Sequence, residues 1–439
     1  MSILKSFVQN ILRLASLLVF GLGLCVHYRV RSPKTGVLIL PKLISGTAAP
    51  FLALLGILTA VCGILGRQPA TAMLSALGAL SLANHFQAVV ATQPGFERVF
   101  GKDWMKKIPA ARQRWMLKRR WNWHLPEVPT PRWERDMVFW TIPGSGRRLL
   151  CDLWRPPESV QPSGLAYLFF HGSGWHFLDK DFGTRTYFRH LAAQGHVVMD
   201  VAYRLCPEVS FPEILGDVYR SIAWMKDNAR RLGVNPERIV IGGASAGGHL
   251  ALLAAYASQQ DEWIPAELKS RNLSVRGVTS LYGPTDMAAY YDHAGKFLGH
   301  EEKDFAQEKS NKKNLTQTRL NIYPITHHQM MRNLLGGLLD ERPEAYRSAS
   351  PVVYAAQDCP PTLLHYGAHD STVPTAAARE MYQQLQMAGA PVVFVELPQT
   401  EHAFDVAMEI FRLGYLSQGS PAGQVALYDL ERFLALLAT

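Results

Sequence analysis

At 439 residues, with 48% hydrophobic and 18% charged side chains, the chain has room for about two or three domains and is too apolar to be a disordered tail. Its formal net charge of +9 is local: nine Lys/Arg stand between Arg98 and Arg120 against Asp103 alone. Five widely spaced cysteines without a C-x-x-C pair fit neither a disulfide scaffold nor a structural zinc site, and nothing in them calls for an oxidising compartment.

Read in chain order, residues 1–95 predict a membrane helical region. Leu43–Gly66 carries no charge and is long enough to cross a bilayer core, which needs about 20 apolar residues. After Arg67 and Gln68-Pro69 a second uncharged stretch, rich in small residues, reads as the return helix of a hairpin. The earlier run Leu14–Tyr28 is shorter and follows Lys5 and Arg13; no small-x-small cleavage site comes after it, so it reads as a first, uncleaved span with Arg13 snorkelling. The expected spans are 11–28, 43–66 and 70–92. Apart from Arg13 and His27 near the ends of the first span, and His85, they hold no ionisable side chain of the kind that marks a transport path.

This topology puts Arg29, Arg31, Lys34, Lys42 and the basic cluster on one side, with Lys5 and Arg67 on the other. The positive-inside rule then predicts an integral membrane protein whose C-terminal part is cytoplasmic. Segment 96–135 interleaves Trp104, Trp115, Trp121 and Trp123 with basic residues. Beside a span, this suits headgroups and an anionic leaflet, and a contribution to a cap, better than it suits nucleic acid.

From about Asp136 the pattern becomes strand–helix alternation. MVFWTI and LLCDLW flank Pro143-Gly144-Ser145-Gly146 as a hairpin, and the later strands are short, nearly continuous apolar runs such as AYLFF, RIVIGG and VVFVELP. A largely parallel sheet covered by helices on both faces is expected over 136–439. A cap insertion is expected at about 285–347, including the charged run HEEKDFAQEKSNKK and the helical MMRNLLGGLL.

Function in such sheets sits at the carboxyl ends of strands. After RIVIGG stands Gly243-Ala244-Ser245-Ala246-Gly247, a G-x-S-x-G between a strand and a helix; Gly243 and Gly247 leave room for a turn that exposes the serine hydroxyl. A serine needs a base, and the base needs an orienting carboxylate, in the order Ser, Asp, His. Asp370 follows the strand PTLLHYG and His402 follows VVFVELP, which makes Ser245 the candidate nucleophile, His402 the base and then acid, and Asp370 the orienting group. The glycine-rich loop His171-Gly172-Ser173-Gly174-Trp175 follows AYLFF. The amides of Ser173, Gly174 and Ala246 are the candidate oxyanion donors; His171 is expected to brace the loop, and Trp175 either lines a pocket or packs.

These landmarks, HGSGW, Tyr203-Arg204-Leu205-Cys206-Pro207-Glu208, GASAGGHLA, GAHDSTVP and EHAF, resemble in order those of the hormone-sensitive-lipase-like carboxylesterases, and nearby the kynurenine formamidase-like esterases, over about Asp136–Thr439. The resemblance implies an α/β-hydrolase fold and hydrolysis of carboxylic esters through an acyl-enzyme on Ser245, without cofactor or metal. The expected partners are a small-molecule or lipid-like ester and the membrane, not nucleic acid; no oligomeric state is specified. Two positions depart from the pattern. Ser173 replaces the middle glycine of the HGGG loop, where a positive φ would cost on the order of 1–2 kcal/mol. Ala244 replaces the Asp usual before the nucleophile. An acyltransferase or amidase on the same site, and a non-catalytic binding module of the same fold, are the alternatives.

Overall fold

The computed structural model describes residues 2–258, 260, 262–298, 325–406 and 420–439. Its C-terminal part is built on eight strands: β1 (Arg132–Thr141), β2 (Arg148–Arg155), β3 (Ala166–Phe170), β4 (Val197–Val201), β5 (Ile239–Ala244), β6 (Gly277–Leu281), β7 (Thr362–Gly367) and β8 (Val392–Leu397). They form one sheet in the order β1-β2-β4-β3-β5-β6-β7-β8. The β1–β2 and β2–β4 pairs are antiparallel and the rest parallel. Strands β3 to β7 are buried along their whole length, as apolar runs without alternation require when helices cover both faces.

The register lines up the carboxyl ends. Phe170 stands opposite Gly243, Ala244 opposite Leu281 and Gly367 opposite Leu397, so the loops after β3, β5, β7 and β8 emerge along one edge. This mixed sheet with its covering helices is the α/β-hydrolase fold that the sequence predicts. The hairpin starts at Arg132, four residues before the expected boundary at Asp136.

The N-terminal region contains α1 (Ser2–His27), α2 (Ile39–Thr47), α3 (Ala49–Leu65) and α4 (Pro69–Val90). Two helical stretches, Leu4–His27 and Pro69–Phe100, are long and apolar enough to cross a membrane, and α2 with its preceding turn plus α3 would make a third if that pair, bent by 81°, is one span. The expected straight span 43–66 is therefore broken at Ala48. Leu43–Thr47 belong to α2, which turns aside, and Pro50 at the start of α3 suits a helix beginning there. Small residues let the remaining helices approach closely: a Cβ on Gly78 would stand 2.7 Å from the Val19 carbonyl oxygen, and one on Gly56 2.8 Å from the Ala79 Cβ. The larger aliphatics, among them Leu17, Leu58, Ile64 and Leu80, face outward.

Segment 96–135 is a strap on the sheet domain and not a cap over the strand ends. Its short helices α5 (Gly95–Phe100) and α6 (Ala110–Gln113) lead to a run fastened to the C-terminal helix Pro421–Leu437. There the Leu117 amide donates to Glu431 Oε2 at 2.9 Å, and Arg120 makes a two-pronged contact with Asp429 at 2.7 and 3.1 Å. Trp121 and Trp123 meet Phe86 and Phe51 of the helical region edge-on at 4.9 and 5.3 Å. Arg120 is thus a structural ion-pair partner and not a headgroup charge.

Candidate active site

Ser245 follows β5 and opens α9 (Ala246–Tyr256), which comes after α7 (Arg185–Ala193) and α8 (Phe211–Leu232). Its φ of +51° and ψ of −120° put a non-glycine residue in a region that costs on the order of 1–3 kcal/mol and persists only where the surroundings hold it. They do so closely. The Ser245 amide donates to the Leu281 carbonyl at 2.8 Å, and a Cβ on Gly247 would stand 1.9 Å from the Phe170 carbonyl oxygen and one on Gly243 2.5 Å from the same atom. Neither glycine needs a positive φ; both are required because the backbones of β3 and α9 touch.

His402, from the loop after β8, places Nε2 3.1 Å from Ser245 Oγ and Nδ1 2.7 Å from Asp370 Oδ2. Asp370, 1% exposed, follows β7; its other oxygen accepts from the Thr372 and Val373 amides at 2.8 and 2.7 Å, so both carboxylate oxygens are held. Burial of the imidazole opposes protonation, but the adjoining Asp370 carboxylate outweighs it and the His402 pKa is raised. The three residues picked out as candidates by motif and strand position therefore converge, from three separate strand ends.

The loop after β3 adopts φ of +86°, +62° and +61° at Ser173, Gly174 and Trp175. Ser173 takes the positive φ that its side chain disfavours, and among the described residues its buried hydroxyl has no hydrogen-bond partner. Gly172 approaches the elbow: a Cβ there would lie 3.0 Å from the Ala244 carbonyl oxygen. Among the described residues no backbone acceptor takes the amides of Ser173, Gly174 or Ala246, which leaves all three available to a ligand. His171 stacks on Tyr203 at 4.4 Å, contacts the Gly172 carbonyl through Nδ1 at 3.0 Å, and burial pushes its pKa down to about 4; a neutral ring wedged behind the loop is a brace. Trp175 packs: it is 1% exposed, with edge contacts to His249 and Tyr290.

Part of the expected insertion 285–347 lies outside the described residues, including the charged run. Its described helices include α10 (Met287–Leu298) and α11 (His327–Leu335), with the short helix Pro343–Ser348 at its end. Met330 of α11 fills the space beside Gly174, where a Cβ would meet its Cε at 2.5 Å, and His293 of α10 contacts the Asp370 carbonyl through Nε2 at 3.1 Å. Sequence reasoning did not find His293, nor Tyr282, whose ring lies 4.5 Å from that of His402 while its hydroxyl donates to Asp405. It also missed Glu401. The Glu beside the His in EHAF was visible but had no partner to pair it with.

The fold and the placement of these residues define the chain as an α/β-hydrolase with a serine, a histidine and an aspartate meeting at the nucleophile elbow. The BD-FAE family model matches residues 151–385, and the chain belongs to that family; the match includes Ser245 and Asp370 and ends before His402. LipM, a probable carboxylic ester hydrolase of Mycobacterium tuberculosis, is 30% identical over 269 residues, 60% of this chain and 54% of LipM. The esterase LipQ of the same organism is 28% identical over 318 residues, 71% of this chain and 68% of LipQ. The chain thus spans about half of the length of LipM. The crystal structure of esterase B from Lactobacillus Rhamnosis has the same fold, with a TM-score of 0.51 at 20% identity over 71% of this chain and 88% of that one.

Proposed function

We propose that the protein is a membrane-anchored serine hydrolase that cleaves carboxylic esters through an acyl-enzyme on Ser245. The observation that carries this reading is the hydrogen-bonded line Ser245–His402–Asp370, at 3.1 and 2.7 Å, beside three unclaimed backbone amides. His402 Nε2 takes the hydroxyl proton as Ser245 Oγ attacks the ester carbonyl carbon. Nδ1–H stays on Asp370, which fixes the tautomer and stabilises the imidazolium. The carbonyl oxygen becomes the oxyanion of the tetrahedral intermediate, received by the amides of Ser173, Gly174 and Ala246, where each donor is worth about 2.7–4 kcal/mol of barrier. Collapse expels the alkoxide, which takes the proton from His402. A water then repeats the sequence, giving the acid and free Ser245.

Anchoring rests on the outward-facing aliphatics of α1, α3 and α4 and their close internal packing through glycines. Arg29, Arg31 and Lys34 lie between α1 and α2, on the side of the sheet domain, with Arg67 at the far hairpin tip, so the positive-inside rule favours a cytoplasmic catalytic domain. An ester held at the membrane surface is the substrate class that this geometry favours. The test is hydrolysis of p-nitrophenyl esters by the detergent-solubilised protein and labelling of Ser245 by a fluorophosphonate. Both are expected in the wild type and lost in Ser245→Ala, with turnover lost in His402→Ala; turnover that survives both substitutions overturns the reading.

A further inference from the structure

The loops that carry Asp370 and His402 are joined by one buried carboxylate. Glu401 Oε1 accepts from the Ser371 amide at 2.5 Å and from the His402 amide at 3.1 Å, so a single oxygen ties the acid loop to the base loop. Among the described residues Oε2 takes no hydrogen bond; it faces Lys42 Nζ at 3.7 Å, with both side chains 2% exposed. Lys42 comes from α2, outside the sheet domain altogether. Its ammonium also donates to the Tyr28 carbonyl at 2.6 Å and meets His369 Nδ1 at 3.0 Å. That ring is an acceptor, because burial and then the Lys42 charge push the His369 pKa down to about 4. Lys42, counted above with Arg29, Arg31 and Lys34 as a basic residue on the catalytic side, is thus enclosed beneath the candidate site.

The bend at Ala48 accounts for this placement. Were α2 to continue α3 as one straight helix, Lys42 would travel with the bundle; turned by 81°, α2 lies beneath the loop after β8. Two further contacts fasten the same edge, His85 Nδ1 to Gln399 Oε1 at 3.1 Å and Gln93 Nε2 to the Glu396 carbonyl at 2.9 Å.

We propose that Lys42 is a positioning residue for His402, acting through Glu401, so that the N-terminal helical region is part of the hydrolytic site as well as its anchor. The inference rests on the serine-hydrolase reading above. Without the ammonium, Glu401 would be a buried carboxylate facing the like charge of Asp370; burial and then that charge already raise its pKa, and Lys42 opposes them. A carboxyl that gained a proton would hold the backbone amides less strongly, having lost its charge assistance; one that stayed ionised would hold the imidazolium more tightly. Either way the first proton taken up by the Glu401–His402 pair would bind at higher pH. Among the described residues, the other groups facing His402 are Asp370, Asp405 with Tyr282 on it, and, across Asp370, His293 of α10; Arg29 and His369 stand around Lys42.

The experiment compares the pH dependence of kcat/KM for p-nitrophenyl ester hydrolysis by the full detergent-solubilised chain as wild type, Lys42→Met, Lys42→Arg, Glu401→Gln and the double variant Lys42→Met/Glu401→Gln. Fluorophosphonate labelling counts folded sites. Lys42→Met is expected to move the acid limb up by about half a pH unit or more and to lower kcat about tenfold with KM little changed, as misalignment of a base does. Lys42→Arg should keep the wild-type limb and Glu401→Gln should move it down. In the Glu401→Gln background the Lys42→Met change should shrink to less than about half, since coupled sites are non-additive. Should Lys42→Met fail to fold, the double variant is expected to fold and turn over. A Lys42→Met limb that superimposes on the wild type, an equal shift in both backgrounds, or a double variant as defective as the single overturns the proposal. A wild type that neither labels nor hydrolyses strikes the serine-hydrolase reading instead.

Discussion

The two parts of the molecule use the same aliphatic residues in opposite ways. In the sheet domain β3, β4 and β5 bury every residue. In the helical region Gly78, Ser75, Ala79 and Leu82 are inside while Leu58 and Leu80 stand more than half exposed. Water drives the first arrangement, because burying apolar surface is what stabilises a core. It cannot drive the second, which would leave that surface in water; close backbone packing with aliphatics outward is the arrangement suited to a solvent as apolar as leucine itself. On the anchored reading proposed above, the difference teaches that the helices and the sheet domain answer to different solvents, yet they are fastened where the site is, through Lys42, His85 and Gln93.

That contrast can be broken at its catalytic end first. Asp370→Asn removes the carboxylate that selects the His402 tautomer and should lower kcat about 10⁴-fold while leaving the helical region and its membrane partition unchanged. The sign of the pH effect follows from the raised His402 pKa. The base is lost to protonation as pH falls through a value above the ordinary imidazole pKa of about 6.5, so wild-type kcat/KM should decline below that value, and residual Asp370→Asn activity should hold to lower pH. A wild-type acid limb below about 6 would contradict the geometry.

Packing in the sheet domain is sharpened by Gly247→Ala. With the built Cβ at 1.9 Å from the Phe170 carbonyl oxygen, the elbow has to open. The expected loss is more than about 4 kcal/mol, in the range of exceptional single substitutions, and would appear in thermal or denaturant unfolding and as loss of fluorophosphonate labelling. Leu58→Arg asks the converse question of the outer face. If that face meets lipid, an arginine there should cost about 2.5–3.5 kcal/mol of insertion, measured as a shift from the membrane fraction; if it meets water, partition and activity should be unaffected.

Most of the sheet domain was legible because its signals are local. Short apolar runs bounded by turn residues and alternating with helical segments read as buried parallel strands, and a serine, aspartate or histidine just past such a strand sits at the carboxyl edge. The register that sets Ala244 opposite Leu281, Leu281 opposite His365 and Gly367 opposite Leu397 then brings Ser245, Asp370 and His402 together. The strain at Ser173 was legible in the same way, from one missing glycine. The helical region was less so. Hydropathy registers how apolar Leu43–Gly66 is, but a bend at Ala48 is decided by what α2 gains against the sheet domain, which no run of residues records.

By itself the sequence determined the strand–helix alternation, the elbow and its two partners, and the apolar N-terminal stretches, since each is a pattern within one element or one loop. Only the tertiary structure decided that Arg120 pairs with Asp429, that segment 96–135 is a strap, and that Lys42 lies under Glu401. The reason is reach: Lys42 and His369 are 327 residues apart in sequence, and contacts of that separation exist only once the helical region and the sheet domain have packed against each other.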